Sequence, residues 1–112
     1  MPKRDDGILL RDILDAIAQI ELYLAGVTYS TFCETLLLQD GVMHRLEIIG
    51  EASRNLSDAF LEEHLGIPWQ DIIGMRNRIA HAYFAIDLRA VWDTAKMDIP
   101  ALKEWIVGVL GQ

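Results

Sequence analysis

Apolar residues at Leu9, Ile13, Ile17, Ile20 and Leu24 recur at intervals of three and four, the period of one face of an α-helix. Gly26 predicts the end of that helix. "GVTYST" follows as the turn, with Thr28 or Ser30 placed to cap the next element. The second helix reads as long. Val42, Leu46, Ile49, Ser53 and Leu56 form its stripe, an earlier turn or two carries Phe32, Leu36 and Leu37, and the small residues Gly50, Ala52 and Ser53 allow a neighbouring backbone to come close. Ser57 can cap a short helix ended by Gly66, and Pro68 suits the first turn of a following helix with the stripe Ile72, Met75, Ile79, Ala82 and Ile86. Asp87 is a candidate cap for a fifth helix through Val91, Trp92 and Ala95. Asp98 and Pro100 then predict the start of a last helix carrying Leu102, Ile106 and Leu110. No alternating strand pattern or Asn-Gly hairpin signal is present. The expected fold is all-α, an antiparallel bundle of four or five principal helices with short connections.

Composition narrows this picture. The chain has 112 residues, 52% of them hydrophobic, and no repeat, low-complexity tract or linker divides it. That argues against disorder and for one helical domain over 1–112. No apolar run approaches the roughly 20 residues needed to cross a bilayer. The opening "MPKRDDGILLRD" lacks the long apolar core of a secretory signal. A single cysteine, Cys33, offers no internal disulfide and no cysteine-based metal motif, so its simplest role is a small apolar filler. These features predict a cytosolic protein without a membrane partner.

Charge changes the picture further. The formal net charge of -7 is opposite to that of a general nucleic-acid binder, whose phosphate contacts need a positive excess. The exception is local. Between Met75 and Arg89 three arginines, Arg76, Arg78 and Arg89, face one aspartate, Asp87. Within this basic island "MRNRIAHAYF" gathers Arg76, Asn77, Arg78, His81 and Tyr83. On an ideal helix Asn77 and His81 lie one turn apart and away from the apolar stripe, and Arg76 and His81 point about 140° apart. One ideal helix therefore does not bring arginine and histidine together, which leaves a local unwinding, a bent arginine stem, or a site composed from two chains.

Arginine with histidine, without an acidic or metal-ligating cluster, suits metal-independent RNA cleavage. There the ribose 2′-hydroxyl is the nucleophile. The protein must supply a base for it, an acid for the departing 5′-oxygen, and fixed positive donors for the charge that develops on phosphorus. Imidazole serves the proton transfers near neutral pH, and guanidinium stabilises the anion. His81 supplies only one such group per chain, so a homodimer is the natural unit. The pattern alone also admits plainer readings: Arg76 and Arg78 paired with carboxylates such as Glu47 or Glu51, His81 solvated, and Tyr83 a half-buried aromatic at the edge of the core.

"RNRIAHAY" matches the Arg-x4-His-x-Tyr signature and resembles the HepT-like toxins, a branch of the HEPN superfamily of small helical ribonucleases. "RLEIIGEASRNLS" and "IPWQDIIGMRNRIAHAYFAIDLRAVWDTAKMDIPAL" extend the resemblance over roughly Ile8 to Leu110. Ala82 stands where many relatives carry glycine, which leaves the three signature residues in place. The resemblance implies a metal-independent endoribonuclease toxin with no cofactor, with Arg76 and His81 as the catalytic pair in a cleft at a homodimer interface. Asn77 matches the polar residue that follows the arginine, and with Arg78 is a candidate for catalytic support or RNA binding. The implied partner is a minimal nucleotidyltransferase antitoxin that transfers AMP to Tyr83. Two rival readings use the same residues differently: a non-catalytic helical module that regulates a nucleotidyltransferase, and a nucleotide-binding helical domain in which Arg76 and Arg78 hold phosphates.

Other chemistry-bearing residues read as structural. His44, Glu47 and Glu51 share helical spacing but fit a solvated face or arginine partners better than a metal site. His64 fits a helix C-terminus. Trp69, Trp92 and Trp105 fit core or interface anchors better than RNA-stacking platforms.

Overall fold

The computed structural model describes residues 6–75 and 87–111. Every regular element among them is helical: α1 (Asp6–Leu24), α2 (Tyr29–Glu34), α3 (Leu36–Arg54), α4 (Asp58–Glu63), α5 (Trp69–Ile73), α6 (Leu88–Asp93), a π-helical turn (Thr94–Asp98) and α7 (Ile99–Leu110). The fold is an all-α bundle. None of the described helices is long and apolar enough to cross a membrane.

The frame is the antiparallel pair α1 and α3. The predicted stripe of α1 is buried in full, with Leu10 and Ala16 added to it. It meets Val42, Leu46 and Ile49 of α3, each fully buried. Both ends of the pair are fixed by particular groups. At one end Gly41 lets the Tyr23 ring approach, since a Cβ there would stand 3.1 Å from the ring. At the other end the Asp6 carboxylate accepts from the Ser57 backbone N–H at 2.9 Å and from the Ser57 hydroxyl at 2.6 Å. That hydroxyl in turn accepts from the Phe60 N–H, so Ser57 caps α4 while it ties α4 to the start of α1. Gly26, with φ of 71°, ends the first connection in the left-handed conformation that glycine adopts without strain.

The predicted long second helix is divided. Thr28 caps α2, as expected, but Thr35 takes an extended conformation (φ -119°, ψ 91°) and breaks the helix before α3. Gln39 holds the break. Its side-chain nitrogen donates to the carbonyls of Phe32 at 3.0 Å and Cys33 at 3.1 Å, satisfying acceptors that the interrupted helix leaves open. Phe32 stays in the core, whereas Leu36 and Leu37 turn outward and are exposed. Cys33 is exposed as well, not the apolar filler expected of it.

The C-terminal expectation is corrected in a different way. Asp87 does cap α6, accepting from the Ala90 N–H at 3.1 Å. The last α-helix does begin after Asp98, at Ile99, but Asp98 is itself helical and makes no side-chain cap. The chain runs unbroken from α6 into α7 through the π turn, where the Ile99 N–H reaches back to the Thr94 carbonyl. Pro100 falls in the first turn after it, where a missing N–H is tolerated. Leu102 and Ile106 are buried, while Leu110 lies at the surface. α7 packs along α1, and Lys103 bridges to Glu21 at 3.0 Å.

Candidate functional site

Arg76, Asn77, Arg78, His81 and Tyr83 lie outside the described residues, as do Ile79, Ala82 and Ile86 of the predicted stripe. What the structure defines is the frame on either side. On the entry side, Pro68 precedes α5, and Trp69 and Ile72 are buried. The Trp69 indole N–H donates to the His64 carbonyl at 3.0 Å, and the Phe60 ring packs against both His64 (4.4 Å between centroids) and Trp69 (5.8 Å). α5 lies against α3, and Met75, directly before Arg76, is buried to 2% exposure. On the exit side Asp87 caps α6, which reaches α3 from another direction. The motif segment is thus bracketed by two anchored residues, Met75 and Asp87.

Beside the entry lies a cleft of about 310 Å³ between α5 and α7, lined by Ile72, Met75, Met97, Leu102 and Trp105, with Asp71 and Asp98 at its rim. Trp105 stands half open on this cleft, whereas Trp69 is buried and Trp92 packs against the core.

Beside the exit lies an arrangement of cations and rings. The Arg89 guanidinium sits 4.7 Å above the Tyr29 ring, and its Nε donates to Asp93 Oδ1 at 3.2 Å. Tyr29 meets Trp92 edge-on at 5.7 Å, and Trp92 also packs on Phe32 at 5.3 Å. The Lys96 ammonium lies 5.3 Å over the Trp92 ring. A hydrogen bond with the Cys33 side chain, followed by desolvation, pushes the Tyr29 phenol above its usual pKa, so it stays neutral through the physiological range. Sequence reasoning passed over this set. Arg89, Trp92 and Lys96 at intervals of three and four were a readable signal for one helical face. Tyr29, which completes the set, comes from a distant helix.

His44 is exposed on α3, and Glu51 Oε1 lies 3.4 Å from Arg54. Among the described residues no group of three or more His, Cys, Asp and Glu side chains is placed to hold a metal ion.

A model of the family described as Ribonuclease HepT-like matches residues 13–108, a span that contains the whole motif segment. The chain is 42% identical over 101 residues to a Thermococcus cleftensis protein named as a candidate ribonuclease HepT, covering 90% of this chain and 92% of that one. It is 36% identical over 104 residues to a Methanocaldococcus jannaschii protein named as a candidate RNase, covering 93% and 95%. A second protein of that organism, named for a gamma-glutamylcyclotransferase and a candidate RNase, is 41% identical over 108 residues; these are 96% of this chain but 49% of the relative, so the chain spans about half of that protein's length. No solved structure matches the chain. With a family match over most of its length and relatives of similar extent above 30% identity, the chain belongs to the HepT-like ribonuclease family.

Proposed function

We propose that the protein is an endoribonuclease that cleaves RNA without a metal ion, using Arg76 and His81. The observation that carries this reading is the family match across 13–108, a span that includes the Arg-x4-His-x-Tyr signature. The chemistry follows from the side chains. A histidine takes the proton of the ribose 2′-hydroxyl, the 2′-oxygen bonds to phosphorus, and the bond from phosphorus to the 5′-oxygen breaks as that oxygen receives a proton. The products are a 2′,3′-cyclic phosphate and a 5′-hydroxyl. Arg76 stabilises the added charge on the phosphoryl oxygens, and Asn77 and Arg78 support catalysis or bind the strand. Since each chain supplies one His81, two chains of a homodimer provide the base and the acid.

The toxin role, regulation by a minimal nucleotidyltransferase antitoxin and cytoplasmic location belong to the same proposal. Transfer of AMP from ATP to the Tyr83 phenolic oxygen, with pyrophosphate released, would set a bulky anion beside the arginines and repel RNA by volume and charge. An AMP-sized increment on the Tyr83 peptide after co-expression tests that step.

The central test is cleavage of a defined RNA in EDTA with analysis of the new ends. The expected result is cyclic phosphate termini from the unaltered protein and a loss of about 10²–10⁴-fold in His81→Ala, with the oligomeric state retained. Undiminished cutting by that variant would remove His81 from the mechanism. The net charge of -7 favours a second reading, a non-catalytic module that docks on a nucleotidyltransferase. Growth arrest on expression, relieved by Arg76→Ala, counts against it.

A further inference from the structure

We propose that the Arg89–Tyr29–Trp92–Lys96 ladder is a binding strip for single-stranded RNA, holding two phosphates of the strand. The proposal rests on the ribonuclease reading above and extends it to residues outside the signature. Three observations support it.

The first is position. Asp87 ends the motif segment and caps α6, and Arg89 stands in the first turn of the helix so begun. Arg89, Trp92 and Lys96 then follow at helical spacing, and the strip from Arg89 to Lys96 is about 10 Å long at 1.5 Å per residue. In sequence, the strip therefore begins two residues after the motif segment ends at Asp87.

The second is preorganisation. Long cationic side chains on a surface ordinarily lose rotamer freedom when they grip a phosphate. Here the guanidinium rests on the Tyr29 ring and the ammonium over the Trp92 ring, so both heads are already localised. Asp93 holds the Nε edge of Arg89, and the terminal nitrogens have no hydrogen-bond partner among the described residues. Tyr29 and Trp92 are half-buried, so the cations they support stand at the surface. Cationic side chains interleaved with aromatic rings are the combination by which proteins hold single strands without reading sequence.

The third is charge. Up to Met75 the chain carries thirteen acidic residues against five basic ones; from Arg76 onward it carries five basic against four acidic. RNA is repelled by the first part and tolerated by the second. Asp93 is the one carboxylate within the ladder; it pairs with the Nε edge of Arg89, and with Lys96 the set keeps a net positive charge. By contrast, the cleft between α5 and α7 has two aspartates at its rim, which disfavours RNA there.

The test uses a fluorescent 2′-O-methyl oligonucleotide of roughly twelve nucleotides, long enough to pass beyond one site. It lacks the 2′-hydroxyl nucleophile, so binding is read whether or not the protein cuts. Anisotropy titrations across a salt series compare the unaltered protein with Arg89→Gln/Lys96→Gln and with Lys103→Gln, a cation of α7 outside the ladder that bridges to Glu21 of α1. The double variant is expected to bind about tenfold more weakly and to show a salt slope lower by about 1.4, the loss of two single-strand phosphate contacts. Lys103→Gln should match the unaltered protein. Circular dichroism and the thermal midpoint check that the double variant is folded. Unchanged affinity and slope in the folded double variant overturn the proposal, and so does absence of binding by the unaltered protein. Loss of a co-purifying protein partner with RNA binding intact overturns it too, marking the ladder as a protein contact. Cleavage of natural RNA is scored separately. Ladder-dependent binding without any cutting supports the strip while refuting the ribonuclease reading, and cutting without ladder-dependent binding does the reverse.

Discussion

The α1–α3 pair and the arm formed by α6, the π turn and α7 are built on opposite principles. The pair is long, regular and acidic, and its facing stripes are buried to within a few per cent along nearly their whole length. Its ends are locked by Asp6 on Ser57 and by Tyr23 on Gly41. The arm is irregular. It changes helical register at Thr94–Asp98 and holds Arg89 and Lys96 over aromatic rings. The difference is a division of labour. On the reading proposed above, the acidic pair supplies the frame and the arm supplies the surface that meets RNA.

The sharpest way to break this comparison is to remove equal side chains from the two regions. Leu46→Ala empties a fully buried position facing α1, and should cost about 2–5 kcal/mol through lost burial and the cavity left behind. Leu110→Ala makes the same chemical change at the surface end of α7 and should stay within about 0.5 kcal/mol. Urea denaturation of both variants reads the contrast. Similar losses would mean that the arm is as integral to the core as the pair.

A smaller effect tests the lock at the end of the pair. Asp6→Ala removes both acceptors from Ser57 while leaving the Ser57 cap on Phe60 intact. The expected loss is about 1.5 kcal/mol, at the low end for bonds to a charged group because the site is only partly buried. In a double-mutant cycle with Ser57→Ala, strong non-additivity is expected. Additive losses would show that the two residues act independently.

These two regions also differ in how far they could be read in advance. The α1 stripe, Gly26 and the caps Thr28, Ser57 and Asp87 were legible because each depends on a few neighbouring residues: a periodicity, a positive φ, a side-chain oxygen three residues from an open N–H. The break at Thr35 was not, because neither glycine nor proline marks it. It depends on Gln39, whose amide competes successfully for the carbonyls of Phe32 and Cys33. Leu36 and Leu37 were assigned inward for that reason, since a stripe extrapolated through a hidden break lands on the wrong face. The Asp98 boundary was legible as a position, but the π turn before it keeps the chain helical where a capped start was expected. For the candidate site, the signature residues were legible as a pattern, and the motif segment itself lies outside the described residues. The ladder was half legible. Its α6 face follows from spacing, but the ring beneath Arg89 is brought in by tertiary packing.

The smallest effect concerns the π turn, and it decides what that irregularity is for. Two causes compete. Pro100 lacks an N–H, and in a regular helix its ring would crowd the carbonyl of Lys96, so the turn could exist to accommodate proline. Alternatively, the burial pattern demands it. The stripe Val91, Ala95, Ile99, Leu102 and Ile106 completes four turns in fifteen residues, whereas a regular α-helix needs about 14.4, a drift of about 60°. One widened turn absorbs that drift and keeps Ile99, Leu102 and Ile106 inward together with Val91. Rotating three buried side chains toward solvent costs more than proline's local strain, so burial should dominate. Pro100→Ala is therefore expected to change stability by no more than about 1 kcal/mol and to leave the Ile99 N–H bonded to the Thr94 carbonyl. Hydrogen-bond scalar couplings across that pair provide the measurement. A shift of the Ile99 donor to the Ala95 carbonyl would assign the turn to proline instead. The arm's irregularity would then be a local repair, not a device that keeps its apolar face in phase with the α1–α3 pair.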